Sequence, residues 1–199
     1  MKTKALLIPV IGIVVSAMTF TACNQKVDEK TMAEVTQFGT DWAAMGDRAA
    51  AWSVQLTETA TQAKEWASKQ TEMMNGITIW KDEGMKMKMQ ENVKTAVDNS
   101  THLDGMVNDW NGFKNTWDAN TSAWMEWQTK VTKGEISPGD VVTGLADWKT
   151  KMTEAQQKVE GWNTAYVVVK ESCDKTMAVS DEMTKSMIST NMPEGKVKK

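Results

Sequence analysis

Little punctuates this chain. Three prolines and 12 glycines in 199 residues provide too few turns for a fold of many short strands. The single histidine, His102, leaves no HExxH pair. No paired-cysteine zinc pattern, GxSxG elbow or glycine-rich phosphate loop is present either. Those absences remove the common catalytic, metal and nucleotide signatures, so no enzyme, resident metal or cofactor is expected. Basic residues are also short: 23 against 26 acidic, a net charge of −3. Nucleic-acid binding rests on basic surface neutralising phosphates, and this balance argues against it. One tyrosine and three phenylalanines accompany ten tryptophans and 16 methionines. The apolar inventory is thus dominated by indole and thioether.

Two cysteines occur, Cys23 and Cys173. Around the first, Lys2 and Lys4 precede an apolar run from Ala5 to Met18, then Phe20-Thr21-Ala22-Cys23, then polar Asn24-Gln25-Lys26. A basic start, a short apolar core and small residues before a cut describe an export signal. The run is shorter than the ~20 residues a spanning helix needs, and Pro9 and Gly12 interrupt it. The stretch resembles a bacterial lipoprotein signal peptide with its lipobox, Phe20 standing where that family favours leucine. The resemblance implies cleavage before Cys23 and acylation of its thiol and new amino group, which anchors the chain to a membrane in the cell envelope. It also implies an outer-membrane address, facing the periplasm or the cell surface, because in the best-known sorting rule an aspartate after the cysteine retains the protein in the inner membrane, and here that residue is Asn24. With Cys23 lipidated, Cys173 has no disulfide partner.

The expected organisation is a signal peptide over 1–22, an anchored linker over 23–30, a helical bundle over 31–192 and a basic tail over 193–199. From Val35 apolar residues fall at alternating steps of three and four: Val35, Phe38, Trp42, Met45, Ala49, Trp52, Leu56, Thr59, Ala63, Trp66, Gln70, Met73, Ile77, Trp80. This period of 3.5 predicts one long helix with a coiled-coil-like seam, ending in a turn within 75–84, with Asn75-Gly76 as a left-handed stop. A second seam reads Val93, Ala96, Ser100, Leu103, Val107, Trp110, Lys114, Trp117, Thr121, Trp124, Gln128, Val131, flanked by Met106, Phe113 and Trp127. Asp98-Asn99-Ser100-Thr101 are poor helix formers, so a break there and a fourth segment stay open. Gly134 predicts the end of that helix, and Ser137-Pro138 with Asp140 predicts a capped start for the next. The third seam runs Leu145, Trp148, Met152, Ala155, Val159, Trp162, Tyr166, Val169, Cys173, Thr176, Ser180, Met183, Met187, stopped by Pro193-Glu194-Gly195. The expected fold is all-α, an elongated antiparallel three-helix bundle.

Tryptophans at heptad spacing, Trp110, Trp117 and Trp124 above all, are read as core, with an aromatic ligand cage as the competing reading. Met85-Lys86-Met87-Lys88-Met89 is the densest thioether cluster. On a helix its methionines point apart, which favours gap-filling over soft-metal ligation. His102 is expected to be solvated or capping, and Cys173 an inert buried thiol.

Two functions from different classes follow. One is a lipid-anchored envelope rod with a structural or partner-binding role. The alternative is a carrier that offers its tryptophan-rich interior to an amphiphilic or aromatic ligand. A third, a bundle that unfurls onto a bilayer, lacks the continuous apolar segment it would need after Cys23. The closing residues Lys196, Lys198 and Lys199 resemble, at the last position, the murein lipoprotein, a short trimerising helix whose terminal lysine is joined to peptidoglycan. That resemblance implies a peptidoglycan contact through Lys199, while a solvated basic tail or a contact with anionic lipid are the competing readings. An envelope-protein partner and homo-oligomerisation stay open.

Overall fold

The structure, a computed structural model, describes residues 26–78, Trp80 and 82–191, the last five through their backbone alone. It consists of three long helices, α1 (Glu29–Gly76), α2 (Glu83–Thr132) and α3 (Pro138–Asn191). They pack as a three-helix bundle, with no strand among the described residues. At 1.5 Å per residue each helix is roughly 75 Å long.

The helix ends follow from local chemistry. Asp28 caps α1 by accepting the Thr31 backbone N–H at 2.9 Å and the Thr31 hydroxyl at 2.7 Å. These bonds hold its carboxyl below the ordinary aspartate value. The cap is therefore fully present above that ordinary value and is lost as acid protonates the group. Asp82 caps α2 in the same way, through the Met85 N–H. α1 ends at Gly76 and α2 begins at Glu83, both inside the expected window, but Gly76 is not a left-handed stop. Ile77 leaves α1 in an extended conformation instead (φ −80°, ψ 105°). Gly134 does adopt the left-handed conformation, at φ 70°. The Glu135 N–H then reaches back to the Lys130 carbonyl at 2.9 Å and closes the end of α2. Ser137 caps α3, its hydroxyl accepting the Asp140 backbone N–H at 3.3 Å and donating to the Asp140 carboxylate at 2.7 Å, with Pro138 first in the helix.

α2 runs unbroken through 98–101, so the four-segment alternative is set aside. The weak formers are held by tertiary contacts. The Asn99 amide donates to the Ser172 hydroxyl at 2.9 Å, the Asn92 amide donates to the Thr176 carbonyl at 3.1 Å, and Leu103 is fully buried. Packing of this kind outweighs intrinsic propensity differences, which stay below about 1 kcal/mol per residue.

Cross-helix bonds give the directions. Trp42 pairs with Thr121 and Lys64 with Asp104, so α2 runs antiparallel to α1. Asn92 and Asn99 on α2 meet Thr176 and Ser172 on α3, again antiparallel. Glu34 meets Lys149, Thr59 meets Tyr166 and Gln70 meets Ser180, so α3 runs parallel to α1. An up-down-up bundle places the start of α1 and the end of α3 at opposite tips.

The core has three stretches along the rod. One tip holds Val35, Phe38, Trp42, Trp124, Val131, Val141, Leu145, Trp148 and Met152. The middle is built on Trp52, Leu56, Leu103, Met106, Trp110, Tyr166, Val169 and Cys173, with Ala49, Ala60 and Ala63 between them. The far tip is capped by Met89, Val93 and Met183, against Met73, Met74 and Trp80.

The third seam is buried or half-buried at every position as far as Met183. The first slips: beyond Leu56 the buried row continues through Ala60, Ala63 and Ala67, leaving Thr59 and Trp66 half-buried. An α-helix of 3.6 residues per turn drifts ~20° per heptad against a 3.5 repeat, and the extra step of four resets the stripe. In α2 Lys114 faces solvent, paired with Asp118, and Phe113 takes the inward place.

Candidate functional site

The tryptophans form one connected array. Trp127 contacts Trp124 (5.2 Å), which meets Phe38 edge-on (4.8 Å) and Trp148 (5.6 Å). Trp42 stacks on Trp117 at 4.2 Å and 8° and stands perpendicular to Trp148 at 5.6 Å. Phe113 links Trp117 (6.0 Å) to Trp162 (5.3 Å). Trp52 closes the series against Trp110, Trp162 and Tyr166. Eight of the ten tryptophans therefore touch ring to ring, from all three helices; Trp66 and Trp80 stand outside the array. Each offset or edge-to-face pair contributes about 0.5–1.5 kcal/mol beyond its area burial. Lys151 adds a cation over the Trp148 ring, 4.1 Å from its centroid.

Glycines make room for these rings. A methyl group at Gly46 would meet Trp117 at 3.1 Å and one at Gly144 would meet Trp127 at 2.8–3.0 Å, whereas one at Gly39 would press on Gln128 Nε2 at 3.3 Å and reach Trp124 only at an ordinary contact distance of 3.6 Å. Gly39 and Gly46 are seven apart on α1, and Trp124 and Trp117 are seven apart on antiparallel α2. The two glycines thus face the two rings in step, closely at Gly46 and at ordinary contact distance at Gly39. This pairing was missed from the sequence, although the matched spacing was its signal.

Polar groups inside the seam find one another. Thr59 and Gln70, the two interruptions of the first seam, bond to Tyr166 (2.9 Å) and Ser180 on α3. The Trp42 indole donates to Thr121, a polar member of the second seam, at 2.9 Å. Such pairings fix register, because each partner left alone in the core would cost about 1–3 kcal/mol. Among the described residues one buried side-chain group has no hydrogen-bond partner, the Trp52 indole N–H. Trp52 lines a cavity of about 340 Å³ between α1 and α3, together with Met45, Arg48, Gln156, Val159, Glu160 and Asn163. The seams pass through Met45, Trp52 and Val159 but carry no sign of this cluster, although Arg48 is the only arginine in the chain.

No family model, curated protein or solved structure matches this chain.

The remaining expected positions are brought to no common site. Cys23, Lys196, Lys198 and Lys199 lie outside the described residues, as do the 1–22 leader and the 193–199 tail. His102 is exposed in mid-helix rather than beside a kink. Met85, Met87 and Met89 lie in the first turns of α2 and diverge: Met89 is fully buried, and Met87 is 63% exposed. No group of three or more His, Cys, Asp or Glu placed to hold a metal ion occurs among the described residues. No described helix is long and apolar enough to cross a membrane.

Cys173 is buried in the middle core, and burial, then the charge of Asp174, push its thiol above the ordinary value. Thiolate is the reactive form, so folded Cys23→Ser protein is expected to react with a thiol reagent at neutral pH far more slowly than the same protein in denaturant. Equal rates in the two states would show that Cys173 is open to solvent.

Proposed function

We propose that this chain is a lipid-anchored envelope protein, acylated at Cys23, whose helical rod stands off the membrane in a structural or partner-binding role. The carrying observation is the odd number of unbroken helices among the described residues. Asp28, five residues after Cys23, caps α1 at one tip, while α3 runs to Asn191 at the other. A lipid at Cys23 would thus hold one tip at the membrane and present the other roughly 75 Å away, by the helical rise. An outer-membrane address follows from Asn24 on the lipoprotein resemblance.

The carrier reading draws less support. The indole and phenyl rings contact one another, and those contacts would have to be broken to admit a ligand among them.

Cys23→Ser tests the anchor. The expected outcome is loss of fatty-acid labelling, with protein released in soluble form or left as unprocessed precursor. Palmitate labelling of Cys23→Ser at the level of the unaltered chain, with mature mobility, would reject it. The murein-lipoprotein resemblance at the last residue suggests a second element, a covalent link from Lys199 to peptidoglycan, against a solvated basic tail. Muramidase digestion should then yield a muropeptide-bearing form that disappears when Lys199 is deleted. With no such form, and envelope fractionation unchanged by the deletion, the rod has an anchor but no tether.

A further inference from the structure

The cavity beside Trp52 carries chemistry that the anchored rod does not use. Its α1 wall provides Met45, Arg48 and Trp52, one helical turn apart in succession; its α3 wall provides Gln156, Val159, Glu160 and Asn163. Met45 is buried and Val159 half-buried, and with the Trp52 ring they form an apolar floor. The volume of about 340 Å³ lies at the lower end of small-molecule sites, which run from about 300 to 1,000 Å³.

Two features give this groove a directional polarity. Arg48, the chain's sole arginine, takes part in none of the seven ion pairs of the described residues, and neither does Glu160 across the groove. Opposite charges on facing walls without a bridge leave both free for a third body. The Trp52 indole N–H is sealed from solvent, so what Trp52 offers the groove is ring surface. Guanidinium is the side chain best shaped to grip a carboxylate by two parallel bonds.

We propose that this groove binds a small zwitterion with an apolar body, of the α-amino-acid type. Its carboxylate bonds Arg48, its ammonium group faces Glu160, and its side chain lies on Met45, Val159 and the Trp52 ring. The Gln156 and Asn163 amides border the polar end. The site does not depend on acylation of Cys23 and stands or falls separately from the anchor.

Indole ¹⁵N–¹H spectra of the full chain test this, with Trp52→Phe assigning the Trp52 peak. Three probes are titrated: phenylalanine, N-acetylphenylalanine, which lacks the ammonium, and phenylalaninamide, which lacks the carboxylate. Phenylalanine is expected to shift the Trp52 peak saturably. Arg48→Gln should weaken that response by about tenfold or more, as loss of a charge-assisted pair implies. Glu160→Gln should abolish the preference for phenylalanine over its N-acetyl form. Both replaced residues are exposed, so the fold is expected to survive, and an otherwise unchanged spectrum verifies it. No saturable shift up to roughly 10 mM, or a shift indifferent to Arg48→Gln, overturns the proposal. A response to phenylalaninamide equal to that of phenylalanine overturns it too, by showing that the carboxylate is not recognised.

Discussion

Trp42→Ala is expected to destabilise the bundle more than truncation of any half-buried tryptophan. Trp42 is 3% exposed, contacts Phe38, Trp117, Trp124 and Trp148, and donates its indole N–H to Thr121. Cutting a buried aromatic to alanine costs about 3–5 kcal/mol, out of a total domain stability of about 5–15. In a chain of this length each kcal/mol moves Tm by about 2–4 °C, so a fall of about 6–20 °C follows. Thermal unfolding followed by far-UV circular dichroism measures it. The same cut at Trp117 or Trp162, both half-buried, is expected to do less but still lower Tm. A Trp42→Ala protein that melts with the parent would mean that the stacked rings are not what holds this tip together.

The glycines provide the opposite sign within one substitution type. Gly105, Gly112 and Gly161 lie inside helices, and a methyl group there would meet nothing within 4 Å. Alanine at each is expected to stabilise by about 1 kcal/mol, the difference in helix propensity. Gly144→Ala gains the same propensity but drives its methyl into three Trp127 atoms at 2.8–3.0 Å. Overpacking of this kind typically costs about 1–3 kcal/mol, so a net loss follows. Gly46→Ala, against Trp117 Nε1 at 3.1 Å, should fall between these limits. Urea denaturation of the four single variants and Gly144→Ala ranks them. If Gly144→Ala gains as much as Gly161→Ala, Trp127 moves aside freely and the notch is not a packing constraint.

How far the sequence carried depends on which forces act along one helix and which act between helices. The third seam was legible almost to its end, because burial along a single stripe is a local pattern. The first seam was legible to Leu56 and then slipped to Ala60 and Ala67, where alanine gives a weaker hydrophobic signal than Trp66 beside it. Asp98-Asn99-Ser100-Thr101 suggested a break because propensity is local, whereas the bonds from Asn92 and Asn99 to α3 belong to the assembled bundle. Thr59 and Gln70 looked like faults in a seam until Tyr166 and Ser180 were placed opposite them. The groove at Arg48 was not legible at all. It joins residues more than a hundred positions apart, and neither wall carries a motif on its own.

The mass of the mature chain, isolated from envelopes of the cells that make it, tests the anchored rod most directly. The expected species begins at Cys23 and carries diacylglyceryl and amide-linked acyl mass on that residue, with residues 1–22 absent. A chain retaining residues 1–22, or one beginning at Cys23 or elsewhere without lipid, would contradict the anchor and leave the rod free of the membrane.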